Sequence, residues 1–182
     1  MSFRLVGYFP KKIARAMGAI AFPGVTEIWS VSHCISPGPD NWIECWRHNE
    51  LGLFDTPALA QSVVPAGLGH EFQIVGYRLW LEAFGPGPRL PALRGTAQLQ
   101  PAAGWNVVGY DAVSSSRGCE FECSPLSCNR AAIEMDVNER CLFASAGDAA
   151  AAARSFAAGL FEPGPYYVVE VLAADQARGP IA

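Results

Sequence analysis

Residues 141–173, CLFASAGDAAAAARSFAAGLFEPGPYYVVEVLA, decide how the chain is read. Cys141 to Ala144 has strand character. Ser145 or Asp148 can cap the alanine run that leads through Arg154, Ser155 and Phe156 to Gly159, a helix with its stop. Asp148 near its start and Arg154 near its end suit the helix dipole. Glu162-Pro163-Gly164-Pro165 makes a turn, and Tyr166 to Ala173 sets Tyr167, Val169 and Val171 against Val168, Glu170 and Leu172. Only Glu170 interrupts the apolar character, so this strand is expected to be covered on both faces. Together these pieces form a compact β-α-β unit.

Outward from that unit, Val-Gly-Tyr occurs at Val6-Gly7-Tyr8, Val75-Gly76-Tyr77 and Val108-Gly109-Tyr110, each inside a run rich in β-formers, and reads as three strands. The unequal spacing is no repeat array, but it leaves room for duplication of one strand unit. Thr26 to Ser32 reads as a further strand. Asp55-Thr56-Pro57 caps a helix over Ala58 to Val64, and Ile13 to Ala21 is a third helical stretch weakened by Gly18. A second strand-helix-strand order thus runs from Thr26 through Ala58 to Phe72, with the Pro- and Gly-rich segment Gly85 to Pro101 connecting it to the next unit. The expected fold is α+β, a mainly antiparallel sheet covered on one face by two or three helices, with two ferredoxin-like halves as its finer form. Residues 1–175 are expected to form one domain and residues 176–182 a flexible tail.

An apolar fraction of 51% against 16% charged residues in 182 suffices for one core. The slightly positive mean hydropathy points weakly to a homodimer. Seventeen acids against 13 bases, with no basic cluster beyond Lys11, Lys12 and Arg15, disfavour a nucleic-acid partner. Arg15 breaks the apolar stretch after Lys11 and Lys12, so it is not a signal peptide. No run reaches the roughly 18 to 20 apolar residues of a membrane span. A cytoplasmic, reducing setting is the expectation, and the six cysteines are then thiols or ligands rather than disulfides.

The densest chemistry is Cys119 to Asn129. Pro125 argues against an uninterrupted helix there and for loop or irregular strand. Three cysteines on a loop could chelate a soft metal, but the gaps from Cys119 to Cys123 and Cys128 fit neither zinc nor iron–sulfur patterns well, and Cys141, or His33 with Cys34, would have to complete the site. A second reading makes Cys123 or Cys128 a nucleophile with His33 or His48 as its base; His70 is a further candidate base. A third reads Ser124-Pro125-Leu126-Ser127 and Cys128-Asn129 as a tight structural turn.

The other unusual stretch, His33 to Asn49, sets Trp42 and Trp46 four apart beside Arg47 and His48. The indoles could stack on a ring-shaped ligand while Arg47 meets an anion, or they could simply close the edge of a core. No phosphate-cradling glycine pattern is present. The leading expectation is a small soluble binding or regulatory module for an unknown small molecule or protein, with Trp42, Trp46, Arg47 and Asn129 as ligand contacts and no cofactor. A thiol-dependent enzyme using Cys123 or Cys128 with His33 or His48 is the alternative, and a Cys-rich metal-binding protein the third.

Overall fold

The computed structural model describes residues 2–40, 47–90, 99–117, 120–159 and 161–175. In chain order these build β1 (Phe3–Lys12), β2 (Ala14–Arg15), β3 (Glu27–Ile28), α1 (Pro57–Ser62), β4 (Phe72–Phe84), β5 (Trp105–Ser114), α2 (Pro125–Cys128), α3 (Ala146–Ala158) and β6 (Tyr166–Ala174). Four strands make one sheet in the order β1-β4-β6-β5, with every neighbouring pair antiparallel, and β2 and β3 form a small ladder beside it. The protein is α+β, with few helices packing on an antiparallel sheet. The strand order does not support two ferredoxin-like halves, because each half of the chain contributes one strand pair to a shared sheet. Among the described residues no helix is long and apolar enough to cross a membrane.

All three Val-Gly-Tyr segments lie in strands, β1, β4 and β5. β6 is buried on both faces: Tyr166 and Val168 join the cluster under α3, while Tyr167, Val169 and Val171 join the cluster on the other side. Glu170 is tolerated because Arg78, directly opposite on β4, meets it at 2.5 Å. Ser145 caps α3 by accepting from the Asp148 N–H, and Gly159 ends it. Ala149, Ala152, Ala153 and Phe156 form one buried stripe, whose small side chains let α3 lie close to β5 and β6. In α1, Thr56 accepts from the Leu59 N–H and Pro57 takes the first turn; the helix ends at Ser62, short of Val64.

Three local expectations change. Of Thr26 to Ser32 only Glu27 and Ile28 are strand, because the carbonyls of Ser30, Val31 and Ser32 turn toward the buried Lys11. Cys141 to Ala144 is no strand but a loop with a single bridge, Phe143 to Tyr110. Ile13 to Ala21 divides into β2 and one 3-10 turn at Gly18–Ile20, since Gly18 sits at φ 59, where a right-handed helix cannot continue.

The two halves repeat one device. Gly7 and Gly109 both take positive φ, 142° and 154°, at register shifts in β1 and β5. Next to each bulge an asparagine closes a loop. Asn49 Nδ2 donates to the Val6 carbonyl and its Oδ1 accepts from the N–H groups of Leu51 and Leu53. Asn138 does the same with Val108, Arg140 and Leu142. Phe54 then bridges Tyr8 as Phe143 bridges Tyr110, and Thr56 and Ser145 cap the helices that come next. In sequence this is Asn49-Glu50-Leu51-Gly52-Leu53-Phe54-Asp55-Thr56 against Asn138-Glu139-Arg140-Cys141-Leu142-Phe143-Ala144-Ser145. The left-handed position is Gly52 at φ 70 in one copy and Cys141 at φ 60 in the other. Across the seam Tyr8 meets Trp105 at 5.0 Å and Tyr110 meets Phe3 at 5.8 Å between ring centroids.

Candidate active site

The segments beyond β1 and β5 are where the copies differ, and they meet. On β1 the side-chain alternation that buries Phe9 also buries Lys11, which is fully inaccessible. Its ammonium donates to three carbonyls, Ser30 at 2.6 Å, Val31 at 2.9 Å and Ser32 at 2.6 Å. Three acceptors match the three N–H bonds of an ammonium. Burial pushes its pKa down to about 7, against the favourable pull of Asp111, Cys128 and Cys34. From β5, Asp111 holds the same segment from the other side, accepting from the Val31 N–H at 2.9 Å and the Ser30 hydroxyl at 3.5 Å through Oδ2. Its Oδ1 accepts from Ser124 Oγ at 2.6 Å and the Ala112 N–H. Burial raises this carboxyl to about 6, with the bonds from Ser124, Val31 and Ala112 opposing the rise. Residues 30–32 are therefore clamped between two opposite, buried charges.

The cysteine loop docks on that clamp. After β5 the chain turns back, so that Ser114 and Cys123 run side by side, with the Ser114 N–H donating to the Cys123 carbonyl at 2.8 Å. Glu122 locks the turn by accepting from the N–H and hydroxyl of Ser116 and the N–H and Nε of Arg117. Burial alone would push the Glu122 carboxyl up, but these four bonds outweigh it and hold it down at about 2. Pro125 then starts the single-turn helix α2 instead of preventing helix, because a proline at the first position loses no hydrogen bond. This turn brings Cys128, its last residue, back beside Cys123.

Cys123 and Cys128 flank this single turn, in which the Cys128 N–H donates to the Ser124 carbonyl at 2.9 Å, and the two thiols titrate as a pair. Cys123 is buried and its Sγ also faces Asn129 Oδ1 at 3.7 Å, whereas Cys128 is half-buried. Ser32 Oγ lies 3.2 Å from Cys128 Sγ and equally 3.2 Å from the Glu122 carbonyl. Ser32 has one hydroxyl proton, so an ionised Cys128 would draw it onto sulfur. The neighbouring Cys123 thiol, then Ser32, the Ser124 backbone and Ser127, lower the Cys128 thiol against the cost of burial. The same coupling, together with burial, raises Cys123. The first ionisation of the pair is thereby eased and the second opposed.

Cys123 opens on a cleft of about 740 Å³. His33 and Cys34 line one wall, and Asp40, Glu120, Glu122 and Glu162 outnumber Arg117 around it. Arg117 is engaged by Glu120 and Glu122. His33 stands edge-on to Phe9 at 4.6 Å. Burial and then the Lys11 ammonium press it down to about 3, so it is neutral and a feeble base at physiological pH. His33 and Cys123 thus share the cleft wall and Asn129 faces Cys123, while Cys128 lies against Ser32 and is not part of that wall. His48 lies elsewhere, bridged to Phe54 at the start of the Asn49 loop, and neither it nor the exposed Arg47 lines the cleft. Trp42, Trp46 and Cys119 fall outside the described residues. Cys141, weighed as a fourth ligand, is buried under α3. Among the described residues no three His, Cys, Asp or Glu side chains converge as a metal-binding group.

The residues missed in the sequence are Lys11, Asp111, Ser32 and Glu122. Lys11 had a signal: it lies two positions after Phe9 in a strand, on the same face. Asp111 had one too, as a lone charge within the apolar run Val107 to Val113. Ser32 had none, since only tertiary folding brings it to Cys128. No family model, curated protein or solved structure matches the chain.

Proposed function

We propose that the protein acts through a nucleophilic thiol, Cys128, on electrophilic molecules that enter the neighbouring cleft. The observation that carries this reading is the placement of Cys128 Sγ 3.2 Å from the hydroxyl of Ser32, the residue whose carbonyl also seats the Lys11 ammonium. A thiolate becomes reactive where donors and positive charge stabilise it, and both are supplied here without an imidazole. The base expected from His33 or His48 is replaced in this reading by hydrogen bonds and a buried cation. The net negative cleft wall favours neutral or cationic substrates over anionic ones. A binding role for the cleft is part of the same proposal, because the nucleophile needs its partner held beside it.

Competitive alkylation with limiting iodoacetamide at neutral pH, mapped by peptide mass spectrometry, tests it. Cys128 is expected to react ahead of Cys34, although Cys34 is the more exposed. Modification that tracks exposure alone, with Cys34 first and Cys128 unreacted, overturns the proposal.

A further inference from the structure

Building on the thiol reading above, we infer that Cys123 and Cys128 form a working dithiol pair, Cys128 attacking a disulfide substrate and Cys123 resolving the mixed disulfide. Cys128 closes the single turn that starts beside Cys123, its N–H on the Ser124 carbonyl at 2.9 Å, and its neighbour Asn129 reaches Cys123 Sγ at 3.7 Å, so joining the sulfurs calls for movement within one short loop. They are unequal in the way exchange requires. Cys128 is half-buried and supported by Ser32, while Cys123 is buried and has Asn129 Oδ1 as an acceptor for its proton. Both are fixed from below: Cys123 by the pairing with Ser114, and Cys128 by its N–H bond to the Ser124 carbonyl at 2.9 Å.

The chemistry balances without any further group. The Cys128 thiolate attacks one sulfur of the disulfide, that S–S bond breaks, and the departing thiolate takes a proton from water. Cys123 loses its proton to solvent and attacks Cys128 Sγ, breaking the mixed disulfide and releasing the second thiolate, which is protonated in turn. Two electrons pass from the protein dithiol to the substrate, which leaves as two thiols. The acidic wall of the cleft selects against anionic disulfides, so the substrate class is a neutral or amine-bearing disulfide.

Cystamine, a disulfide with an amine at each end, is the probe. Treated with it, the wild-type protein is expected to lose the mass of two hydrogens, with a Cys123–Cys128 crosslink in the peptide map and two equivalents of cysteamine released. Cys123→Ser is expected to stop at one cysteamine adduct on Cys128, and Cys128→Ser to form no adduct at position 123; circular dichroism checks that both variants are folded. A wild type that retains the adduct on Cys128 as stably as Cys123→Ser overturns the dithiol pair while leaving the nucleophilic thiol intact. Failure of Cys128 to react with either cystamine or iodoacetamide removes both.

Discussion

Lys11 shows how a single residue sets the site. Its three carbonyl partners belong to one short segment, and losing the ammonium would leave three buried acceptors unpaired and Asp111 without its counter-charge. Breaking a buried charge pair on one side costs about 3–5 kcal/mol. Lys11→Met is therefore expected to destabilise by that order in urea unfolding, and a change under about 1 kcal/mol would contradict the clamp. Glu122 gives a prediction in pH. Its carboxyl is depressed from 4.5 to about 2 in the folded protein, so its contribution is fully present above pH 4.5 and is lost as pH falls through 2. Because its partners Ser116 and Arg117 reach the surface, the contribution is on the order of 1–2 kcal/mol after screening. The stability gap between wild type and Glu122→Gln should close over that window, as followed by urea titrations at stepped pH; a gap independent of pH would count against the four-bond lock.

At the scale of elements, the asparagine loops are the recurring unit. Each asparagine makes three side-chain bonds to backbone, and at about 1 kcal/mol net apiece Asn138→Ala should lose about 2–3 kcal/mol. Gly109→Ala should do as much by another route, because a Cβ there would sit 2.6 Å from Leu142 Cβ at a φ that side chains rarely adopt. Thermal melts of both variants check this, and a shift smaller than about 2 °C for either would argue that the loop is not integral. The strands and α3 were legible because they rest on local rules: β-formers around Val-Gly-Tyr, a Ser cap, an alanine run and a closing glycine. The asparagine loops were not, since Asn49 and Asn138 act on strand residues 43 and 30 positions away. Pro125 misleads for a different reason. It breaks a helix only from inside one, and here it begins α2. The cysteine pair was visible as sequence, but the groups that distinguish its two members, Ser32 and Lys11, lie on segments far earlier in the chain.

For the molecule as a whole, two similarly built β-α-β halves share one sheet and differ in the segments that leave their first strands. The seam between β4 and β6, with Tyr8 crossing to Trp105 and Tyr110 to Phe3, ties the halves into one packing unit. Unfolding monitored by tryptophan fluorescence and by far-ultraviolet circular dichroism should give coincident transitions, and two separated steps would contradict a shared core. The chemistry lies where the two halves do not match: Asp111 on β5 stands where β1 has Phe9, and the unmatched segments supply Ser32 on one side and the thiols on the other. The chemistry proposed for the cleft requires Cys128 to be a thiolate at neutral pH. The rate of Cys128 alkylation as a function of pH reads this directly. A midpoint clearly below the usual thiol value of about 8.5 is predicted, and a midpoint at or above that value would contradict it.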